Sequence, residues 1–597
     1  MSRARTPFAD SVRHPFCLRC RFPQVALLAC FAAMAGIAGH VRAEDDILKL
    51  VPEQALGFVV LNRPAAADAK LQELGQQLKL PIPSLFTMLE GPGGIRKGLD
   101  KNRPVAVLAL PSKDDKSPPT MIGLIPVSDY ASFLEQFKSE DTVAGVTKIQ
   151  VSGVPTAVRN VGRYAAITLF DFRETLEKDV KLADEVPAAL APWRTWLAEK
   201  DAAAVVLAPG IRALSAKVQQ GIAAIKPLMA QTGGQAKQAA AALDMYVMLF
   251  QAAEKEVASF GVGIERDAQG VIRLSKRARL VPGGDWAGFI AGAKPPRNVL
   301  AGLPDGPFVF AGGGPLSEAT MSKMMDLSFG LIKNMREMYG LSEEQAKTFS
   351  ELAKEKFPAV RGFSFLLGTG KNDEPILSQM LGIMWVKNSE TFMADYEKYL
   401  ARYSRIVEKI DSPMFQPAQV EKSELDGIHG LKVTMSVPQM PNMPPQSAKM
   451  MERMYGPGGK ITIWVVPCSE HAVVMSYGGQ SSLRQAMAVI KEGKPGLAAN
   501  EELAKVAALL PSGTTWVAYL SPKGIVDFVN RTIAAALPPG IGVKVPEFGA
   551  TPPLAIAVTT GPDEVEVHVI VPAEVVKAIG GLVGAKAPKT PMPTPEE

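Results

Sequence analysis

Cysteine is nearly missing from this chain of 597 residues: Cys17, Cys20, Cys30 and Cys468 are all it has. Three of them precede residue 44, and a single thiol beyond that point excludes an internal disulfide, so the fold must hold by packing. Histidine is equally sparse, and past residue 43 only His429, His471 and His568 occur. They show neither HExxH nor the paired spacing that zinc requires. A GxSxG nucleophile elbow is lacking too. After residue 43 no apolar run is long enough to span a bilayer; Ala239–Phe250 comes nearest, and Asp244 marks it as a buried helix instead. These absences lower the expectation of an enzyme. They do not reach a carboxylate pair assembled by the fold, as in glycosidases, which leaves no sequence trace.

Charge of one sign is also absent once the N-terminus is set apart. Six of the 65 basic residues and one of the 60 acidic residues lie in 1–43, so the remainder balances at 59 of each. That balance gives no warrant for nucleic-acid or anionic-membrane binding. The segment 1–43 itself carries Arg3, Arg5, Arg13, Arg19 and Arg21, then an apolar run Val25–Ile37, then Val41-Arg42-Ala43. A basic start, a short apolar centre and a small-residue end are the pattern of a secretory signal peptide. The expected address is export, to periplasm, envelope or exterior. Cys17 and Cys20 have CxxC spacing but no partner pair. Cys30 ends a faint lipoprotein box, whose cleavage would leave an apolar N-terminus.

What is present is repetition. Four short β-rich runs are each followed by proline and a helical pattern: Phe58–Leu61 with Pro64, Val205–Leu207 with Pro209, Phe308–Phe310 with Pro315, Trp516–Leu520 with Pro522. Aromatic and β-branched residues suit the strand, and proline suits a first helical turn. Hairpins follow at Val105–Leu110/Met121–Ile125, Phe260–Ile264/Val271–Leu274, Phe363–Leu367/Met380–Trp385 and Ile556–Val558/Val565–Val571. In the last strand Val565, Val567, Val569 and Val571 alternate with Glu566 and His568, which predicts one wet face. Arg103 aligns with Arg361, Val127 with Val386, Phe133 with Phe392 and Phe137 with Tyr396, at spacings of 258 or 259 residues. The expected architecture is α+β: internally duplicated strand-helix-strand-strand-helix units with antiparallel sheets, in two similar halves. That element order is also the order of a ferredoxin-like unit. The expected boundaries are a signal peptide 1–43, a first half 44–297, a second half 298–584 with a Met/Pro-rich insertion near 436–459, and a disordered Pro-rich tail 585–597.

The leader, together with Leu50-Val51-Pro52-Glu53-Gln54-Ala55-Leu56-Gly57-Phe58-Val59-Val60-Leu61-Asn62-Arg63, resembles exported bacterial proteins of unknown function typical of planctomycete-like genomes. The resemblance covers a small part of the chain and implies no activity, cofactor or catalytic residue.

Few side chains stand out as chemistry. Cys468 and His471 share a turn, where an imidazole can lower a thiol pKa and make it nucleophilic. The matching turn Asn160-Val161-Gly162-Arg163 has neither residue, which fits a plain surface turn better. Met440, Met443, Met450, Met451 and Met454 lie among Pro438, Pro441, Pro444 and Pro445. Thioethers suit Cu(I), and the same composition makes an adaptable apolar contact loop. Gly312-Gly313-Gly314 sits where a phosphate loop would, without GxGxxG spacing, and reads as a tight turn. Gly456-Pro457-Gly458-Gly459-Lys460 lacks the P-loop hydroxyl, because Ile461 follows. Glu265 with Asp267, and Asp563 with Glu564, fall at predicted hairpin turns, where charge is ordinarily solvated.

The sequence thus favours an exported, non-enzymatic scaffold or binding module with an unknown protein or envelope partner and no cofactor. An envelope hydrolase and a soft-metal carrier are the alternatives.

Overall fold

Runs of β-branched and aromatic residues become strands here, and glycine or proline ends them. The computed structural model describes residues 45–586, apart from 92–93, 113–116, 231–233, 291–298, 319, 326–340, 354–359, 372–373, 411–414, 438–444 and 537–544. The proposed leader, the 294–297 boundary loop and residues 587–597 lie outside the described residues; the expected disordered tail therefore starts too early at 585, since Ala585 and Lys586 end a helix.

An N-terminal set of strands comprises β1 (Gly57–Leu61), β2 (Val105–Leu110), β3 (Thr120–Pro126), β4 (Ser139–Val143) and β5 (Val146–Val151). It continues with β6 (Val154–Val161), β7 (Tyr164–Leu169), β8 (Ala202–Leu207), β9 (Val257–Arg266) and β10 (Ile272–Leu280). The C-terminal set opens with β11 (Phe308–Pro315), β12 (Val360–Gly368), β13 (Gln379–Val386), β14 (Gln419–Leu425) and β15 (Ile428–Ser436). It closes with β16 (Lys460–Ser469), β17 (Ala472–Gly478), β18 (Thr514–Leu520), β19 (Leu554–Gly561) and β20 (Glu564–Val571).

Among the described residues, the twenty strands join one antiparallel sheet. From one edge the N-terminal set runs β4-β5-β6-β7-β3-β2-β1-β8-β9-β10. From the other edge the C-terminal set runs β14-β15-β16-β17-β13-β12-β11-β18-β19-β20. The two orders are the same, position for position. They meet at β10 and β20, which pair from Ile272↔Val571 to Arg279↔Glu564. A split β-α-β unit holds another strand between its first two; here β1 pairs directly with β2, antiparallel, and β11 with β12.

Equivalent places in the two sets repeat local geometry. Helix α1 (Pro64–Leu78) follows β1, and α2 (Tyr130–Glu135) follows β3 with Asp129 capping it through Ala131 N and Ser132 N. Helix α3 (Arg194–Glu199) precedes β8 and α4 (Ala208–Ala230) follows it, while α5 (Asp285–Ile290) follows β10. In the C-terminal set α6 (Ser389–Val407) follows β13, capped by Asn388 through Thr391 N. Helix α7 (Pro445–Tyr455) lies between β15 and β16, α8 (Pro522–Ala536) follows β18, and α9 (Ala573–Lys586) follows β20. Val127 N donates to Arg163 O, and Val386 N donates to His471 O. The Phe133–Phe137 and Phe392–Tyr396 ring pairs have centroids 5.4 and 5.7 Å apart. Gly210 in α4 lies against the Leu56 carbonyl, and Gly524 in α8 against the Phe308 carbonyl.

The sets also clasp each other outside the sheet. Gly580 of α9 rests on the Gln77 carbonyl of α1. In the reciprocal place, Lys323 Nζ donates to the Asp285 carbonyl at the start of α5, 2.9 Å away. Each terminal helix therefore meets the other set's first helix region.

Three expectations need correction. Gly312-Gly313-Gly314 is the interior of strand β11, not a turn. A Cβ on Gly312 would meet the Val517 carbonyl, and one on Gly314 the Trp516 ring, so glycine is there for close packing in the sheet. The segment Ala239–Phe250 is helical, within Gly234–Glu256, but Tyr246 and Leu249 are 51% and 53% exposed, so it is not buried throughout. The wet face of β20 is also inverted. His568 is buried, while Val565, Val567 and Val569 are only half-buried. Among the described residues no helix is long and apolar enough to cross a membrane.

Candidate functional site

Of the two sequence-predicted clusters, the structure parts Cys468 from His471 and lays the described methionines on a helix. Cys468 is 3% exposed, in a core with Val466, Ala472, Val474 and Leu483. Burial pushes its thiol up to about 11, only weakly offset by Lys491. His471, by contrast, points outward, and its Nδ1 donates to the Lys387 carbonyl at 2.8 Å. The turn sends one side chain in and the other out, so no activated thiol forms. Folded protein should resist iodoacetamide at neutral pH and label at Cys468 only on unfolding; prompt native labelling would contradict the burial.

Of the methionines, Met440 and Met443 lie outside the described residues. Met450, Met451 and Met454 sit half-buried on α7, which packs against α8 and β16. Met450 with Met454 at i,i+4, and Met451 with Met454 at i,i+3, fall on one helix face. That is the pattern of packing. Among the described residues no group of three or more His, Cys, Asp or Glu side chains is placed to hold a metal. Gly456-Pro457-Gly458-Gly459-Lys460 leads into strand β16 rather than a helix, so the P-loop comparison fails structurally as well.

Charge converges instead where the sets meet. On the β10–β20 ladder, Ser275 opposes His568, Arg277 opposes Glu566 and Arg279 opposes Glu564. Across β9, Arg273 opposes Glu265, Ser275 opposes Gly263 and Arg277 opposes Gly261. Directly opposed residues share a face, so one face of the seam carries Glu, Arg, His and Ser with two glycines between. Into that glycine trough lie Trp193, Trp196 and the stem of Lys200, with Trp193 and Trp196 rings edge-on at 5.1 Å.

Every seam charge found there has a partner. Lys200 Nζ is 3.2 Å from Glu265, and Arg273 is 3.6 Å from Glu265 and 3.0 Å from Asp267. Glu564 takes Arg277 and Arg279. Trp193 Nε1 donates to Ser259 Oγ at 3.1 Å, and Trp196 Nε1 to Glu566 Oε1 at 2.7 Å. Glu265 and Asp267, expected in solvent, are therefore held in a largely buried network. Sequence reasoning missed this because each strand contributes only alternate residues, and the ion pairs join positions up to about 290 residues apart. The visible signal was the arginine run Arg273, Arg277, Arg279 in a strand flanked by acids.

His568 Nδ1 lies 3.1 Å from Ser275 Oγ. A serine beside an imidazole is half of a hydrolase dyad, but Ser275 has no exposed surface. A substrate carbonyl could reach it only by opening the sheet. Burial, with Lys200 and Arg273 adding to it, lowers the imidazole to about 4. The folded protein thus keeps His568 neutral at pH values where an unfolded chain would protonate it. Its stability contribution is fully present above pH 6.5 and is lost as pH falls toward 4, about tenfold in the unfolding constant per pH unit. Comparing urea midpoints across that window should show the native chain losing stability toward acid relative to His568→Gln, the gap opening as pH falls from 6.5 to 4.

One corner of the network is different. Asn62, just past β1, and Asp201, just before β8, continue the strand ladder, Asn62 N donating to the Asp201 carbonyl at 2.8 Å. Asn62 and Asp201 are 3% and 0% exposed. Asn62 Nδ2 donates to the Leu197 and Lys200 carbonyls, closing the turn after α3. Asp201 Oδ2 accepts from Arg266 N at 2.8 Å. Arg266, 2% exposed, reaches Glu73 on α1 at 2.9 Å, while Lys70 Nζ donates to its carbonyl. Between them Arg63 caps α1 in the left-handed region at φ 45°, a strained setting for a side chain other than glycine. In the C-terminal set the corresponding strand β18 is preceded by Ser512-Gly513, without charge.

Comparison with protein-family models, with curated proteins and with solved structures finds no match.

Proposed function

We propose that this chain is an exported scaffold or binding protein of the cell envelope or exterior, built from two duplicated halves that act as one platform. The observation that carries this reading is the strand order, the same in both sets and continuous across β10–β20. Repeated caps, ring pairs and glycine contacts at equivalent places support duplication. The boundaries 44–297 and 298–584 belong to the same proposal, as does removal of residues 1–43. The ionisable side chains of the seam are buried and paired with one another, which supports a mechanical role over hydrolysis: they hold two halves in register. Charge pairs inside an interface serve specificity of fit more than net stability.

The proposed contact element for a partner is the insertion at 436–459. In the N-terminal set the turn between β5 and β6 is Ser152-Gly153 alone, whereas β15 and β16 are separated by the residues that include α7. The test is crosslinking in the native cells through a photoreactive residue at Arg453, which is exposed, followed by mass spectrometry and N-terminal sequencing. A chain starting at Glu44 with a recurring crosslinked envelope partner supports the reading. A chain starting at Met1 in the cytosol, or crosslinks to itself alone, refutes it.

A further inference from the structure

Among the described residues, Asn62 Oδ1 and Asp201 Oδ1 are buried acceptors with no hydrogen-bond partner. They belong to directly paired positions: Leu61 opposes Ala202, and the Asn62–Asp201 backbone bond extends that ladder by one residue. Leu61 and Ala202 lie together in one apolar cluster, so by strand alternation Asn62 and Asp201 share the opposite face. The Asn62 amide cannot be turned to help, because its Nδ2 is engaged by two carbonyls at 2.7 and 2.8 Å. Two buried acceptors left unpaired at directly opposed positions cost free energy unless one of them carries a hydrogen.

We propose that the Asp201 carboxyl is protonated in the folded protein and donates to Asn62 Oδ1, making this pair a proton-dependent latch between the end of β1, the start of β8 and the first turn of α1. The proton comes from solvent and returns to it; no other bond changes.

The surroundings supply the second state. Acting on Asp201 are Lys70 and Arg63 from the start of α1, Glu265 from β9 and the Arg266 backbone N–H. Arg266 and Asp267 act in turn on Lys70, Glu73 holds the Arg266 guanidinium, and Lys200, next in sequence to Asp201, pairs with Glu199 and Glu265. Burial raises the Asp201 carboxyl to about 7, outweighing the Arg266 backbone donor and the pull of Lys70 and Arg63. Once ionised, the carboxylate has a buried donor without a partner to turn to in Arg63 Nε, whose charge already acts on it. The left-handed Arg63 sits at the joint that would move. Proton loss therefore exchanges the Asn62 contact for a guanidinium contact and loosens the start of α1.

The sign follows from the two carboxyl values. An open chain holds no proton on Asp201 above about pH 4, while the closed corner holds one up to about pH 7. The latch is complete below pH 3.8 and its contribution fades as pH climbs to 7, then levels off.

Hydrogen exchange of full-length mature protein, read by mass spectrometry in peptides spanning 57–71 and 257–267, tests this. Between pH 5 and 7, after correction for intrinsic exchange, protection in these peptides should fall about fiftyfold further in the native chain than in Asp201→Asn. That variant keeps an acceptor for Arg266 N and supplies a permanent donor toward Asn62. Equal pH dependence in both proteins overturns the latch. Should the variant not fold, infrared spectroscopy of native protein labelled with carboxyl-13C aspartate decides. A protonated-carboxyl band at pH 6 that vanishes by pH 8.5 supports the proposal, and its absence at pH 6 refutes it.

Discussion

Trp193→Ala should lower the stability of the folded chain by about 3–5 kcal/mol, a loss at the top of the range for single core substitutions. Trp193 has no exposed surface, stacks edge-on with Trp196, and fills the trough that Gly261 leaves on β9. Its indole N–H also holds Ser259. Truncation removes the largest side chain of the seam and exposes nothing able to refill the space, because glycine has no side chain to move. The ring lies 5.8 Å from the Arg277 guanidinium as well, so its loss weakens the cation that bridges to Glu564. Urea denaturation followed by tryptophan fluorescence of the remaining indoles should show a lower midpoint at an unchanged slope. A change below about 1 kcal/mol would mean the trough is mobile and the seam does not bear on stability.

Gly210→Val and Gly524→Val should each destabilise by about 3 kcal/mol, although valine is ordinarily a better helix residue than glycine. At either site a Cβ would run into backbone: the Leu56 carbonyl for Gly210, the Phe308 carbonyl for Gly524. Backbone in a paired strand cannot swing aside as a side chain can. The comparison of the two variants is the informative part. If the sets are copies of one unit, the losses should match within about 0.5 kcal/mol, since the sites are far apart and independent. Gly221, which has open space around it in the same helix α4, is the control: Gly221→Ala should stabilise by about 0.5–1 kcal/mol. A stabilising Gly210→Val would show that α4 does not dock on the sheet as described.

The two titrating groups of the seam act in opposite directions. Asp201 favours acid and His568 favours the neutral range, over overlapping windows between about pH 4 and 7. A native chain with a flat pH profile in that range is the expected sum. The separate slopes emerge only when one group is removed.

How far the amino-acid string reaches can be judged from particular residues. Strands and their hairpin partners follow from period-two runs bounded by glycine and proline, and the Val127/Val386 and Phe133/Phe392 correspondences follow from constant spacing; both concern neighbours in sequence or repetition along it. The α+β class was legible on that basis. Pairing between distant strands was not, and with it went the side of β20 that faces inward. Glu566 and His568 look like a solvent face until Trp196, Lys200 and Ser275 are brought over them from other parts of the chain. The same holds for Cys468 and His471, where the end of β16 sends a thiol inward and the turn three residues on sends an imidazole outward. Composition and spacing by themselves determined the repeated elements, the single thiol after residue 43 and the scarcity of metal and catalytic motifs, because each is a property of local order or of counts. Only the tertiary structure decided which charges are buried and what they hold, because burial depends on what the rest of the chain places above a residue.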